Sequence, residues 1–191
     1  PVERLPRTPA FVINLGALEA NARSLAAIGE RTGAKVLLAL KAFAAHATFP
    51  RLRPHLSGVT ASGLHEALLG QEFALGEVHA YAPAFKPAEV AHLCRFVHSL
   101  VFNSPEQWRR YRPLVAQARH PIATALRVNH GHGEVAVPLY DPCAPGSRLG
   151  WPAEALTEDD LDGLTGLHFH TLCEQGADVL ERTLDVFEAK C

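Results

Sequence analysis

The 191-residue sequence has no methionine, two tryptophans, three tyrosines and four cysteines. Cys94, Cys143, Cys173 and Cys191 lie far apart and form neither a CxxC pair nor a zinc-ribbon spacing. A disulfide framework and a structural zinc are therefore not indicated, and reduced thiols are expected. No apolar run approaches the ~20 residues that span a bilayer, and the opening PVERLPRTPAFVIN lacks the basic-then-apolar order of a signal peptide. Nor does one sign of charge dominate: 18 Lys+Arg face 20 Asp+Glu, for a net charge of −2. Such a balance gives no basic field for nucleic acid or anionic lipid. These absences lead us to expect a soluble, cytoplasmic protein. The missing initiator Met and the amphipathic tail DVLERTLDVFEAKC, which runs out without a cap, lead us to expect a fragment.

What is present is an alternation of strands and helices. Asn14 is placed to cap a helix carrying Leu15, Leu18, Ala22, Leu25 and Ile28 at three- and four-residue steps, with Gly33 as its stop. VLLALKAF, residues 36–43, follows and is apolar on both alternating sets, as in a parallel strand covered on both faces. Short apolar segments recur at 58–62, 78–81, 100–103, 123–129 and 165–170, separated by helix-like stretches such as LHEALLGQEF and PEQWRRYRPLVAQA. Ser104, Pro105 and Gln107 form a capping box directly after the strand that ends at Asn103. About six strands with intervening helices suit a doubly wound sheet or the first three quarters of a (β/α)8 barrel, which typically needs ~250 residues. No GxGxxG follows the first strand, which disfavours dinucleotide binding. His130–Gly150 is the one long irregular connection, a candidate functional loop. The HGH at its start is flanked by glycine and is expected to be solvated.

Three features do not suit a plain core. Lys41 shares a strand face with Leu37, Ala39 and Phe43, so its ammonium emerges among apolar neighbours at a strand's C-terminal end. A buried unpaired ammonium is costly and escapes by losing its proton, pairing, snorkelling or forming an imine. Catalytic residues of barrel enzymes sit where strands end, which favours a Schiff-base lysine. In GLHFHTLCEQG, His168 and His170 stand two apart on one strand face. That spacing permits an imidazole laid against a cofactor ring, a pair of metal ligands, or a hydrogen-bonded core histidine. Arg127 shares a face with Ala123, Ala125 and Asn129, where an inward guanidinium needs an anion. An internal ion pair with a carboxylate such as Glu66 is the favoured partner, ahead of a bound phosphate or substrate carboxylate. Arg148, in GSRLG, either reaches a ligand or faces water.

At these residues the sequence resembles the fold-type III pyridoxal-phosphate decarboxylases and, among them, those acting on carboxynorspermidine and carboxyspermidine. The resemblance runs through TPAFVINLGALEAN, GAKVLLALKAFA, ASGLHEALLG, VHAYAPAFKP, VFNSPEQWRRY, LRVN, YDPCAPGSRLG and GLHFHTLCEQG. It implies a TIM-like barrel of the alanine racemase/ornithine decarboxylase type. Residues 1–191 would be the N-terminal part of that barrel domain, with about six strands present. The resemblance places pyridoxal 5′-phosphate on Lys41 and stacks His170 on its ring. Ser62 and Glu66 match the polar pair after the second strand, Arg127 the inward arginine of the fifth, and Cys173 a cofactor-side hydroxyl position. Arg148 falls in a segment near cofactor or substrate. The family's glycine-rich phosphate loop, its acid on the pyridine nitrogen and its C-terminal β-domain would all lie later in a longer chain, which would form a homodimer on a small polyamine carboxylate. Two other readings are a metal-dependent barrel hydrolase using His168 and His170, and a non-catalytic cofactor-binding paralogue.

Overall fold

The computed structural model describes residues 7–191; the reading of the opening stretch as lacking a leader falls partly on residues 1–6, outside them. Helix α1 (Leu15–Thr32) begins where the Asn14 side chain accepts the Ala17 N–H at 3.0 Å. It ends at Gly33, whose φ of 74° is the left-handed geometry that glycine adopts without strain. Strand β1 (Leu37–Ala39) follows, then α2 (Phe49–Leu52), β2 (Gly58–Ala61), α3 (Leu64–Glu72), β3 (Glu77–Tyr81), α4 (Pro87–Leu93) and β4 (Ser99–Phe102). The second half comprises α5 (Pro105–Ala116), β5 (Ala123–Asn129), β6 (Trp151–Pro152), α6 (Glu158–Leu161), β7 (Gly166–His168) and α7 (Ala177–Lys190).

All strand pairs are parallel, in the order β1-β2-β3-β4-β5-β7. The two-residue β6 pairs with the end of β5 through Val128 and Trp151. It is a seventh strand where six were expected, because two residues returning from a long loop leave no periodicity to read. The α/β fold with a parallel sheet is as expected.

The register divides the sheet into two unlike faces. Val59, Ala61, Val78, Ala80, Leu100, Phe102 and Leu126 point to the helices and are buried, as are Val90, Leu93, Trp108 and Tyr111 on the helix side. Phe102 lies 5.3 Å from Trp108, ring centroid to centroid. Each of the larger aliphatic and Phe side chains among them contributes roughly 1.5–3 kcal/mol by leaving water. On the other face the register aligns Thr60, His79, Ser99 and Ala123 in one row, and Tyr81, Val101, Ala125 and Gly166 in the next. Arg127 and His168 follow as partners one step beyond. This inner face is small and polar, so the sheet is not uniformly apolar on both sides as β1 alone suggested.

Local chemistry sets the junctions. Ser104 Oγ accepts the Gln107 N–H at 3.2 Å and Pro105 opens α5. Gln107 Oε1 takes the Asn103 N–H at 2.8 Å, one residue earlier than a standard box. Helix α1 departs from expectation: Ala22 is buried, whereas Leu15, Leu25 and Ile28 of its apolar stripe are exposed. No helix among the described residues is long and apolar enough to cross a membrane.

Candidate active site

Lys41 lies off the strand. β1 stops at Ala39, whose carbonyl accepts the N–H groups of Ala42 and Phe43 at 3.0 and 3.1 Å, and this turn carries Lys41 outward. The side chain is exposed rather than buried among apolar neighbours, because the expected eight-residue strand is a three-residue strand and a turn. Its Nζ is 3.5 Å from His170 Nε2. His170 likewise stands just past its strand, which ends at His168. The His170 carbonyl accepts a hydrogen bond from Arg127 Nη2 at 3.1 Å. The two elements thus meet over Arg127.

Arg127 is 4% exposed. Its guanidinium lies 4.9 Å from the centroid of the Tyr81 ring, a cation–π contact. The expected ion pair with Glu66 does not form: Glu66 Oε2 accepts the Ser62 N–H at 2.7 Å and serves the start of α3. Among the described residues, neither Arg127 nor Lys41 has a carboxylate within ion-pair distance.

Lys41, Ser62, Arg127, His170 and Cys173 line one cavity of about 360 Å³, with Tyr81 and Thr171. A contiguous hollow of about 130 Å³ adds His168 and Thr60. No Asp or Glu lines either space. Two basic side chains without an acid give a lining whose charge is complementary to an anion. Glu66 stays outside the cavity, and Arg148 lines a neighbouring hollow of about 1110 Å³ with Asn103 and Tyr140.

The surroundings of both imidazoles disfavour the charged ring. Burial first, then Arg127, His170 and Lys41, lower the His168 pKa to about 4. His170 is also lowered, by burial and then by Lys41 and Arg127. Burial raises the Tyr81 phenol against the opposite pull of Arg127.

Tyr81 was missed by the sequence reading. It stacks on His168 at 5.5 Å and donates its Oη hydrogen to Asn103 Oδ1 at 2.7 Å. The parity of VHAY, which puts Tyr81 on the same face as His79, was the signal that could have found it. The HGH segment also differs from expectation. His130 is fully buried, edge-on to Phe169 and Phe187, and is not solvated. Helix α7 covers it, and Lys190 Nζ donates to its carbonyl at 2.7 Å. Among the described residues no group of three or more His, Cys, Asp or Glu side chains has metal-holding geometry.

Comparison with known proteins gives this geometry a context. The carboxynorspermidine/carboxyspermidine decarboxylase of Campylobacter jejuni is 40% identical over 184 residues, which are 96% of this chain and 47% of that enzyme. A crystal structure of carboxynorspermidine decarboxylase from Campylobacter jejuni, complexed with norspermidine, matches with a TM-score of 0.85 and 38% identity, covering 96% of this chain and 46% of that one. The chain is homologous to these decarboxylases. The carboxyaminopropylagmatine decarboxylase of Synechocystis is 37% identical over 95% of this chain and 46% of its own length. The chain spans about half the length of the decarboxylases it matches. No family model matches it.

Proposed function

We propose that this chain is the lysine-bearing, N-terminal part of the barrel of a pyridoxal 5′-phosphate-dependent carboxy-lyase. Its substrate would be carboxynorspermidine or carboxyspermidine, and its product a polyamine. The observation that carries the reading is the Lys41–His170 pair at 3.5 Å above a buried Arg127, in a cavity with no acid. The homology to the decarboxylases and the norspermidine complex of the Campylobacter jejuni enzyme support the substrate class. The same reading makes the longer protein a cytoplasmic homodimer, with neither nucleic acid nor membrane as partner.

The residues suit an anionic, planar, aldehyde-bearing cofactor. The cavity lies in the usual range for small-ligand sites, about 300–1,000 Å³. Lys41 supplies the amine, Arg127 a fixed positive charge, and His170 an imidazole. Ser62 and Cys173 add short polar groups to the lining, while Glu66 acts through the Ser62 backbone and Arg148 from the adjoining hollow. When bound, the cofactor supplies an acceptor for the electrons left behind as carbon dioxide departs. The chain's own share is positioning and enclosure. His170 offers Nε2 as a hydrogen-bond acceptor for Lys41 Nζ, which holds the amine toward the cavity. The rings of Tyr81 and His168 limit water on the inner side.

Borohydride reduction of the protein with pyridoxal 5′-phosphate, followed by peptide mapping, should place the label on Lys41. Label confined to other lysines would sink the assignment. Release of norspermidine from carboxynorspermidine is the measurement that separates the enzyme from a non-catalytic binding paralogue.

A further inference from the structure

The side chain of Asn103 lies outside the candidate site yet holds two of its walls. Asn103 Oδ1 accepts from Tyr81 Oη at 2.7 Å and from the Gly150 N–H at 2.8 Å, while Nδ2 donates to the Arg148 carbonyl at 2.9 Å. The amide orientation is determined by its partners: a backbone N–H only donates and a carbonyl only accepts, so the flipped amide would lose both bonds.

Both walls lead to Arg127. The Tyr81 ring lies against the guanidinium at 4.9 Å. On the other side the Gly150 backbone lies on the arginine's stem, where a Cβ would stand 3.1 Å from Arg127 Cγ. The one side-chain hydrogen bond found for Arg127 among the described residues goes to the His170 carbonyl, and no carboxylate anchors it. Packing between these two walls therefore fixes where the charge sits. We infer that Asn103 is a positioning residue: one carboxamide locks Tyr81 to the returning loop and thereby clamps the Arg127 guanidinium in the cavity. The inference adds a residue to the proposed function and rests on that reading only for Arg127's role toward a ligand.

The test reads Arg127 directly. The arginine-selective reagent phenylglyoxal is applied to the whole chain without ligand, and labelling of Arg127 is followed by mass spectrometry, with the exposed Arg109 and Arg112, which pair with Asp160 and Asp162, as internal references. Asn103→Ala should label Arg127 about tenfold faster, the factor that corresponds to about 1.4 kcal/mol of lost local hydrogen bonding. Tyr81→Phe, which removes one hydroxyl and keeps the ring, should label it about threefold faster. The double variant should be no faster than Asn103→Ala, since the hydroxyl acts through the same amide; a merely structural role predicts no such coupling. The affinity for pyridoxal 5′-phosphate should fall in the same order. An unchanged Arg127 rate in Asn103→Ala, with the chain still folded, overturns the inference. So does a double variant in which the two effects multiply, and if Asn103→Ala does not fold, an unchanged rate in Tyr81→Phe overturns it alone. A wild-type chain in which borohydride traps nothing at Lys41 sinks the cofactor reading instead, while the labelling still decides the role of Asn103.

Discussion

His168 rests on the Tyr81 ring with its pKa lowered to about 4, and His170 is lowered beside it. A histidine in an unfolded chain titrates near 6.5, so as pH falls below that value the unfolded state takes up protons that the folded state refuses. Stability from the half-buried neutral His168 ring is therefore complete above about pH 6.5, declines through the interval down to about 4, and is absent below it. Thermal unfolding measured from pH 7 to pH 4 should show that loss, and His168→Gln should flatten it by up to about 3 kcal/mol. His130, lowered mainly by burial, adds in the same direction, so some slope should persist in the variant. Two further substitutions address the chemistry. Lys41→Ala should abolish covalent uptake of pyridoxal 5′-phosphate and nearly all turnover in a full-length version, whereas His170→Ala should weaken both and leave the covalent link; absorbance and product formation check each. The inward arginine was legible because charge on an apolar parity is conspicuous; Lys41 drew notice for the same reason, although the fold places it in the exposed turn after β1. The partner of Arg127 was not legible: the sequence offered a plausible carboxylate, and only the fold shows Glu66 engaged by the Ser62 backbone.

Among the elements, the connection from His130 to Gly150 departs furthest from sequence expectation. It is anchored at its return by Gly150, whose φ of 85° strains any other residue and where a Cβ would crowd Asn129 N at 3.0 Å and Arg127 at 3.1 Å. Gly150→Ala should cost roughly 2–4 kcal/mol from left-handed strain and overlap together, read by chemical denaturation, and should weaken ligand binding as well. At the other end Glu134 binds Arg182 through both oxygens, at 2.8 and 2.7 Å, and with His132 this holds the Glu134 carboxyl down at about 2. Arg182→Ala should loosen α7 over His130, seen as faster hydrogen exchange at residues 130–134 with little change elsewhere. The ends of α1 and the start of α5 could be read from the sequence, since Asn14, Gly33, Ser104 and Pro105 each meet a specific backbone need, whereas the buried face of α1 could not. The loop could not, because its order comes from contacts with residues 47 and 48 positions away in the chain. Strand lengths failed for a related reason: VLLALKAF looks continuous, but its second half turns to deliver Lys41.

At the scale of the whole molecule, β1 and β7 each have one strand neighbour among the described residues, and the relatives carry about as much sequence again. On the proposed reading the phosphate-holding and substrate-reading groups belong to that additional length. The 191-residue chain should then form little or no norspermidine, while a version extended by the region its relatives share should form it readily. Equal turnover by the two would sink the proposal that this is part of a larger barrel.

The two faces of the sheet bear on how such proteins diversify. The apolar contacts that keep the chain folded lie between sheet and helices, whereas Thr60, Ser99, Ala125 and Gly166 line the inner side and contribute little to that packing. A substitution on the inner side alters the shape offered to a ligand without opening a cavity in the core. Preference can therefore drift by single steps while folding is left almost untouched, and relatives 40% and 37% identical to this chain bear the names of different carboxylated amines.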